Sequence, residues 1–173
     1  MQILLQWSKC IPEYQENFKD LQLEKPEKCR CGCVKFHKWG KYERDVVEEN
    51  KDYRVPIKRI CCVKCRATYS YLPSFCVSKT SYSANFIMLF LKVLILKTKY
   101  ELGETKRIAY IYLKRFTQLE NLWLVFLRVR EFGYLPTNKK EKRIKIFSEL
   151  LRIYESKNFM TCFLQETGRY FMT

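Results

Sequence analysis

The spacing of hydrophobic positions changes near residue 81. Before it, short apolar runs are broken by turn signals. Ile3, Leu4, Leu5 and Trp7 predict a short strand. Glu13 to Leu23 predict a short helix after Pro12, a residue that a first helical turn tolerates. Val34 and Phe36, Trp39-Gly40, and then Tyr42 to Val47 predict strand segments ahead of a polar turn at Glu49-Asn50-Lys51-Asp52. Tyr53, Val55, Ile57 and Ile60 predict a third strand. Pro56 assigns that run to an edge or a bulge, because proline cannot donate to a ladder. Thr68 to Tyr71 predict a last strand, stopped by Pro73, which makes a three-stranded ribbon.

After residue 81 the period is helical. Phe86, Leu89, Phe90, Val93 and Leu94 recur at i, i+3, i+4, i+7 and i+8. Gly103 marks a break, and Lys106 to Arg115 predict a short amphipathic helix. Thr117-Gln118-Leu119-Glu120 is a capping-box pattern, which predicts a new helix start at Thr117. That helix runs through Leu122, Trp123, Phe126 and Leu127 to about Arg130 and ends by Gly133. Three helices, the last two parted by a tight turn, form the skeleton of a helix-turn-helix. Ile144, Phe147, Leu150, Leu151 and Tyr154 predict a further apolar helix face. Phe159, Met160, Phe163 and Leu164 predict a last short helix ended by Gly168. The fold class expected is α+β: a small β domain followed by a helical, helix-turn-helix-like domain.

Cysteines sharpen the picture. Six of the nine sit in two tight turns, Cys29-Arg30-Cys31-Gly32-Cys33 and Cys61-Cys62-Val63-Lys64-Cys65. Two thiol turns separated by about 30 strand-like residues have the layout of a zinc ribbon, in which each turn supplies two of four tetrahedral donors. Cys31, Cys62 and Cys65 are three candidate ligands. A usual first knuckle has two residues between its cysteines and a glycine after the second. Gly32 follows Cys31, but Lys28 holds the matching first position. Cys29 is therefore the first choice for the fourth ligand and Cys33 the alternative. Against this stands a reading of the thiols as inert buried groups packing like small hydrophobes. His37 is the only histidine, has no cysteine turn spaced to partner it, and reads as an ordinary strand residue. One four-thiolate Zn2+ would be closed to substrate water and hence structural.

Charge adds a partner class. The 173 residues hold 33 basic and 18 acidic side chains, a formal net charge of +15. That favours a polyanion, nucleic acid before an anionic membrane surface. Residues 1–28 are net −1 and read as a strand and helix packed on the ribbon. Residues 29–80, the zinc ribbon, are net +7, and the helix-turn-helix-like residues 81–136 are net +5. Residues 137–173 are basic C-terminal helices opening on Lys139, Lys140, Lys142, Arg143 and Lys145. The start of the chain lacks a basic segment and a long apolar run, so no signal peptide is expected. Phe86 to Leu96 is about half the length needed to span a bilayer and is interrupted by Lys92, so no membrane span is expected. Unexported cysteines point to a reducing cytoplasm and to metal rather than disulfides.

Candidate nucleic-acid contacts follow. Lys106, Arg107, Lys114 and Arg115 suit phosphates, which give register without sequence choice. The next helix offers only Gln118, Asn121, Arg128 and Arg130 as polar groups able to reach bases, and Glu120 would repel phosphate. A plain helical core or a dimerisation surface is the competing reading of that helix. Lys139, Lys140, Lys142 and Arg143 are further candidates, or else a solvated helix end.

One series of residues carries a resemblance. Cys31-Gly32, Lys38-Trp39-Gly40-Lys41-Tyr42-Glu43-Arg44, Arg59-Ile60-Cys61-Cys62-Val63-Lys64-Cys65, Thr68-Tyr69-Ser70-Tyr71-Leu72-Pro73-Ser74-Phe75 and Tyr82-Ser83 resemble the zinc-ribbon and helix-turn-helix front end of bacterial insertion-sequence transposases. They look closest to a related stand-alone bacterial family of unassigned function. The likeness covers roughly residues 26–90 and, more loosely, the helices to about 130. It implies binding to mobile-element DNA in a bacterial cytoplasm, with a transposition protein as a further partner.

No enzyme is expected. Two-metal transposase chemistry needs three spaced carboxylates in a mostly parallel sheet with helices. Asp20, Asp45 and Asp52 are the only aspartates, and no strand–helix alternation follows residue 81. Three expectations stand together: a duplex-DNA-binding accessory or regulator, an adaptor that binds a transposase or polymerase-type partner through the ribbon, and an RNA or single-strand binder using exposed aromatics.

Overall fold

The computed structural model describes residues 1–7, 10–49, 51–128, 130, 133–154, 159–167, 169 and 171, the side chain of Thr161 excepted. The expected helix stop at Gly168, and Asn50 of the expected turn, lie outside the described residues. The chain divides into two compact units, Met1–Cys76 and Val77–Thr173. It is α+β, with a ribbon-like β part followed by helices.

In the first unit β1 is Gln2–Leu5, α1 is Ile11–Asn17, β2 is Phe36–Glu48, β3 is Lys51–Cys62 and β4 is Thr68–Pro73. The sheet order is β1-β4-β3-β2, with β1 parallel to β4 and the other neighbours antiparallel. The ribbon has a fourth strand: Gln2, Ile3, Leu4 and Leu5 face Ser70, Tyr71, Leu72 and Pro73. Residues opposed across a ladder share a face, and residues two apart along a strand share it too. One face carries Val46, Val55, Ile57 and Leu72, packed with Ile11, Tyr14 and Phe18 from α1 and the residue after it. The other carries Phe36, Ile60, Cys62, Tyr69 and Tyr71, packed with Cys29.

α1 stops at Asn17, short of the expected Leu23. At that end the Asn17 side-chain amide folds back and donates to the Glu13 carbonyl at 2.7 Å. Leu21 then packs with the first cluster and Leu23 with the second, so the segment passes from one face of the sheet to the other. Pro56 sits in an inner strand, yet locally it has one strand neighbour. It faces Glu43 on β2, while β4 pairs only with Arg59, Ile60 and Cys61 of β3. The Tyr14 hydroxyl donates to the Pro56 carbonyl at 3.0 Å.

The second unit holds α2 (Ala84–Leu96), a 3-10 turn (Gly103–Thr105), α3 (Lys106–Gln118), α4 (Glu120–Arg128), α5 (Lys139–Tyr154) and α6 (Phe159–Thr167). Ser83 caps α2, its hydroxyl accepting from the Phe86 N–H at 3.0 Å. Thr117 does not start a helix. It lies in the last turn of α3 with its hydroxyl donating back to the Leu113 carbonyl at 2.9 Å, and the break falls at Leu119 alone. The apolar face Ala109, Tyr112 and Phe116 extends α3 past the expected start. The Trp123 indole N–H then ties α4 to the Phe116 carbonyl at 2.8 Å. Trp123 is fully buried among Phe116, Phe163 and Phe171, with ring centroids 5.5, 5.1 and 5.9 Å away. Among the described residues no helix is long and apolar enough to cross a membrane.

Candidate metal centre

Two tight turns deliver the thiols. In the first, the Cys29 N–H donates to the Cys33 carbonyl and the Gly32 N–H to the Cys29 carbonyl, both at 2.8 Å. Gly32 has φ +81°, a left-handed conformation that side chains resist. In the second, the Cys62 N–H donates to Ala67 O at 2.9 Å and the Arg66 N–H to Cys62 O at 3.1 Å. The Val63 N–H donates to the Lys35 carbonyl at 3.1 Å, joining the two segments.

The Sγ atoms of Cys29, Cys31, Cys62 and Cys65 all lie within 4.8 Å of one another. Cys29 and Cys65 sulfurs are 3.5 Å apart, and those of Cys31 and Cys62 are 3.7 Å apart. A tetrahedral ion with metal–sulfur bonds of about 2.3 Å needs sulfur–sulfur edges of about 3.8 Å. The cluster is therefore sized for one ion. Four thiolates suit zinc or iron rather than calcium or magnesium, and they fill a tetrahedral sphere, compatible with a structural role. Cys29 and Cys62 are buried, while Cys31 and Cys65 are exposed on the rim.

Of the two expected fourth ligands, Cys29 stands with the other three. Cys33 is turned to its own turn, its sulfur accepting the Lys35 N–H at 3.4 Å. Cys61 Sγ donates to Arg66 O at 3.3 Å. His37 meets the Trp39 ring at 5.5 Å. A residue not singled out from the sequence completes the surroundings: the buried Tyr69 hydroxyl donates to Cys29 Sγ at 3.1 Å. Period-2 alternation puts Ile60 and Cys62 on one face, but only the ladder pairing of Tyr69 with Ile60, seen in the structure, brings Tyr69 to that face.

Electrostatics set the thiols apart. The Cys31 backbone hydrogen bond, followed by that of Tyr69, holds the Cys29 thiol down to about 6. At Cys65 the backbone hydrogen bond with Ala67 lowers the pKa. The neighbouring thiols Cys29, Cys31 and Cys62, together with burial, outweigh it and push it up to about 12. One thiolate makes the next costly, and a bound cation removes that cost.

The predicted nucleic-acid contacts lie in the second unit. Lys106, Arg107, Lys114, Arg115 and Gln118 are exposed on α3, and Asn121 is exposed on α4. Lys139 and Lys140 are exposed at the start of α5, where the Asn138 side chain accepts the Lys140 N–H at 2.9 Å. Lys142 is half-buried and paired with Glu120 at 2.5 Å, which neutralises the carboxylate expected to repel phosphate. Arg143 is half-buried, and no group among the described residues accepts from its buried Nε.

Fold and site together define an α+β protein whose ribbon-like β unit carries a four-cysteine cluster able to hold a metal ion. Compared with known proteins, the chain matches no family model, no curated protein and no solved structure.

Proposed function

We propose that this chain is a zinc-stapled, non-catalytic protein that binds duplex DNA and serves as an accessory or regulator of a bacterial mobile element. One observation carries the binding reading. Every exposed residue of α3 falls on one stripe: Lys106, Arg107, Tyr110, Ile111, Lys114, Arg115 and Gln118. α3 contains no acidic residue. Among the described residues no ion pair engages its four cations. The two cationic pairs are eight positions apart, about 12 Å along a helix, a span comparable with the width of about 12 Å of the major groove. The mobile-element role rests on the likeness of the cysteine turns and the Trp39-Gly40 and Leu72-Pro73-Ser74-Phe75 segments to transposase front ends.

A second reading has its own observation. Val34 and Val63 are exposed beside the cysteine turns, a surface an adaptor would offer to a transposase or polymerase-type protein. The test is duplex binding over a range of salt. Replacing Lys106, Arg107, Lys114 and Arg115 by Gln should weaken binding and reduce the slope of log K against log salt by about 3.6, at about 0.9 per phosphate contact. An unchanged slope removes α3 as the binding face. A stable protein complex with negligible DNA affinity supports the adaptor.

A further inference from the structure

One sheet face in the first unit carries His37, Trp39, Tyr42 and Arg59 around a break in the β2–β3 ladder. β2 has an irregular register there, Lys38 opposing Ile60 and Lys41 opposing Lys58, so Trp39 and Gly40 together face Arg59. Gly40 has φ +79°, which makes this two-against-one step possible. Trp39 is the exposed member of the three tryptophans, at 45%, because Trp7 packs edge-on against Tyr14 and Trp123 is buried. Its one ring neighbour among the described residues is His37, two positions away on the same face. Across the bulge Arg59 lies over the Tyr42 ring, 5.4 Å from the centroid. No group among the described residues accepts from its buried Nε.

From this juxtaposition we infer that His37, Trp39 and Arg59 form a site for an unpaired nucleobase and its phosphate. The open face of Trp39 is the stacking platform. A base stacks on an indole whatever its sequence, because every base has a π-face. The Arg59 guanidinium, half-buried and held over Tyr42, supplies the cation for the phosphate through its outer nitrogens. A duplex with its bases stacked inside cannot offer this contact, so the preferred occupant is single-stranded DNA or a single-stranded end. This site rests on the nucleic-acid reading of the chain but uses none of the α3 residues.

The experiment compares a short mixed-pyrimidine single strand with the blunt duplex of the same sequence, using the zinc-loaded full chain. Trp39→Ala should weaken single-strand binding by about tenfold or more, the loss expected for one stacked base. It should leave duplex affinity and zinc content unchanged. Trp39→Phe, which keeps an aromatic platform, should recover most of the loss. Equal single-strand affinity for Trp39→Ala and the parent overturns the inference, as does an equal loss on both ligands. If duplex binding is absent while the single strand still depends on Trp39, the α3 reading falls and this site stands. If neither nucleic acid binds, both fall.

Discussion

Tyr69→Phe isolates what surrounds the four sulfurs. The substitution removes one oxygen and leaves the ring, whose edge-on contact with Phe36 at 5.5 Å persists. What disappears is the 3.1 Å hydrogen bond to Cys29 Sγ. A hydrogen bond to a charged acceptor contributes about 1.5–3 kcal/mol. Loss of a partner behind a metal ligand typically costs about 10–100-fold in affinity, which at about 1.4 kcal/mol per decade is the same range. Because the acceptor would be a polarisable thiolate shared with a bound ion, the lower end is expected, about tenfold weaker metal binding, with zinc as the proposed ion. Competition of the purified variant against a chromophoric zinc chelator reads this directly. Far-ultraviolet circular dichroism should be unchanged, since a buried phenyl replaces a buried phenol. A variant that holds zinc as tightly as the parent would refute the claim that Tyr69 supports a metal-bound Cys29.

Three further outcomes follow from the same geometry. If the cluster holds a structural metal ion, chelation, or Cys62→Ser, should release about one ion per chain and unfold the first unit, because a structural metal supplies folding free energy. Unchanged melting after verified loss of metal would sink the structural role. Trp123→Ala should destabilise the second unit by about 3–5 kcal/mol, through the lost volume and the orphaned Phe116 carbonyl. Denaturant unfolding followed at the helices measures it, and a loss under about 1 kcal/mol would contradict the packing described. Alkali should weaken the first unit. Burial pushes the Cys76 thiol up to about 12 and raises Tyr14 above its ordinary range. In the unfolded chain these groups lose their protons near about 8.5 and about 10. Above those values the folded state binds more protons, so their stabilisation is complete below about pH 8.5 and falls as pH rises towards about 12. Unfolding midpoints across that interval should decline, and Cys76→Ala should flatten part of the decline. A flat profile in the parent would refute the burial argument.

Much of the β unit was legible because its signals are local. Thiols two to four residues apart, alternating strands and Pro73 each act over a few positions. β1 as a fourth strand was not legible, since its pairing with Ser70 to Pro73 joins segments far apart in sequence. The helix start at Thr117 failed for a related reason. The capping-box pattern was present, but the buried face through Phe116 and the Trp123 bond to it held residue 117 inside α3.

By itself the sequence determined the class of elements, the change from period two to helical spacing, the excess of cations and the two cysteine turns. These are properties of neighbouring residues and of totals. Only the tertiary structure decided that Cys29 rather than Cys33 joins Cys31, Cys62 and Cys65, and that Tyr69 stands behind it. It paired Lys142 with Glu120 and, among the described residues, left the four cations of α3 outside any ion pair. Which side chains converge depends on how turns and strands fold back in space, and a cluster whose four sulfurs all lie within 4.8 Å of one another separates Cys29 from Cys33, which spacing could only rank.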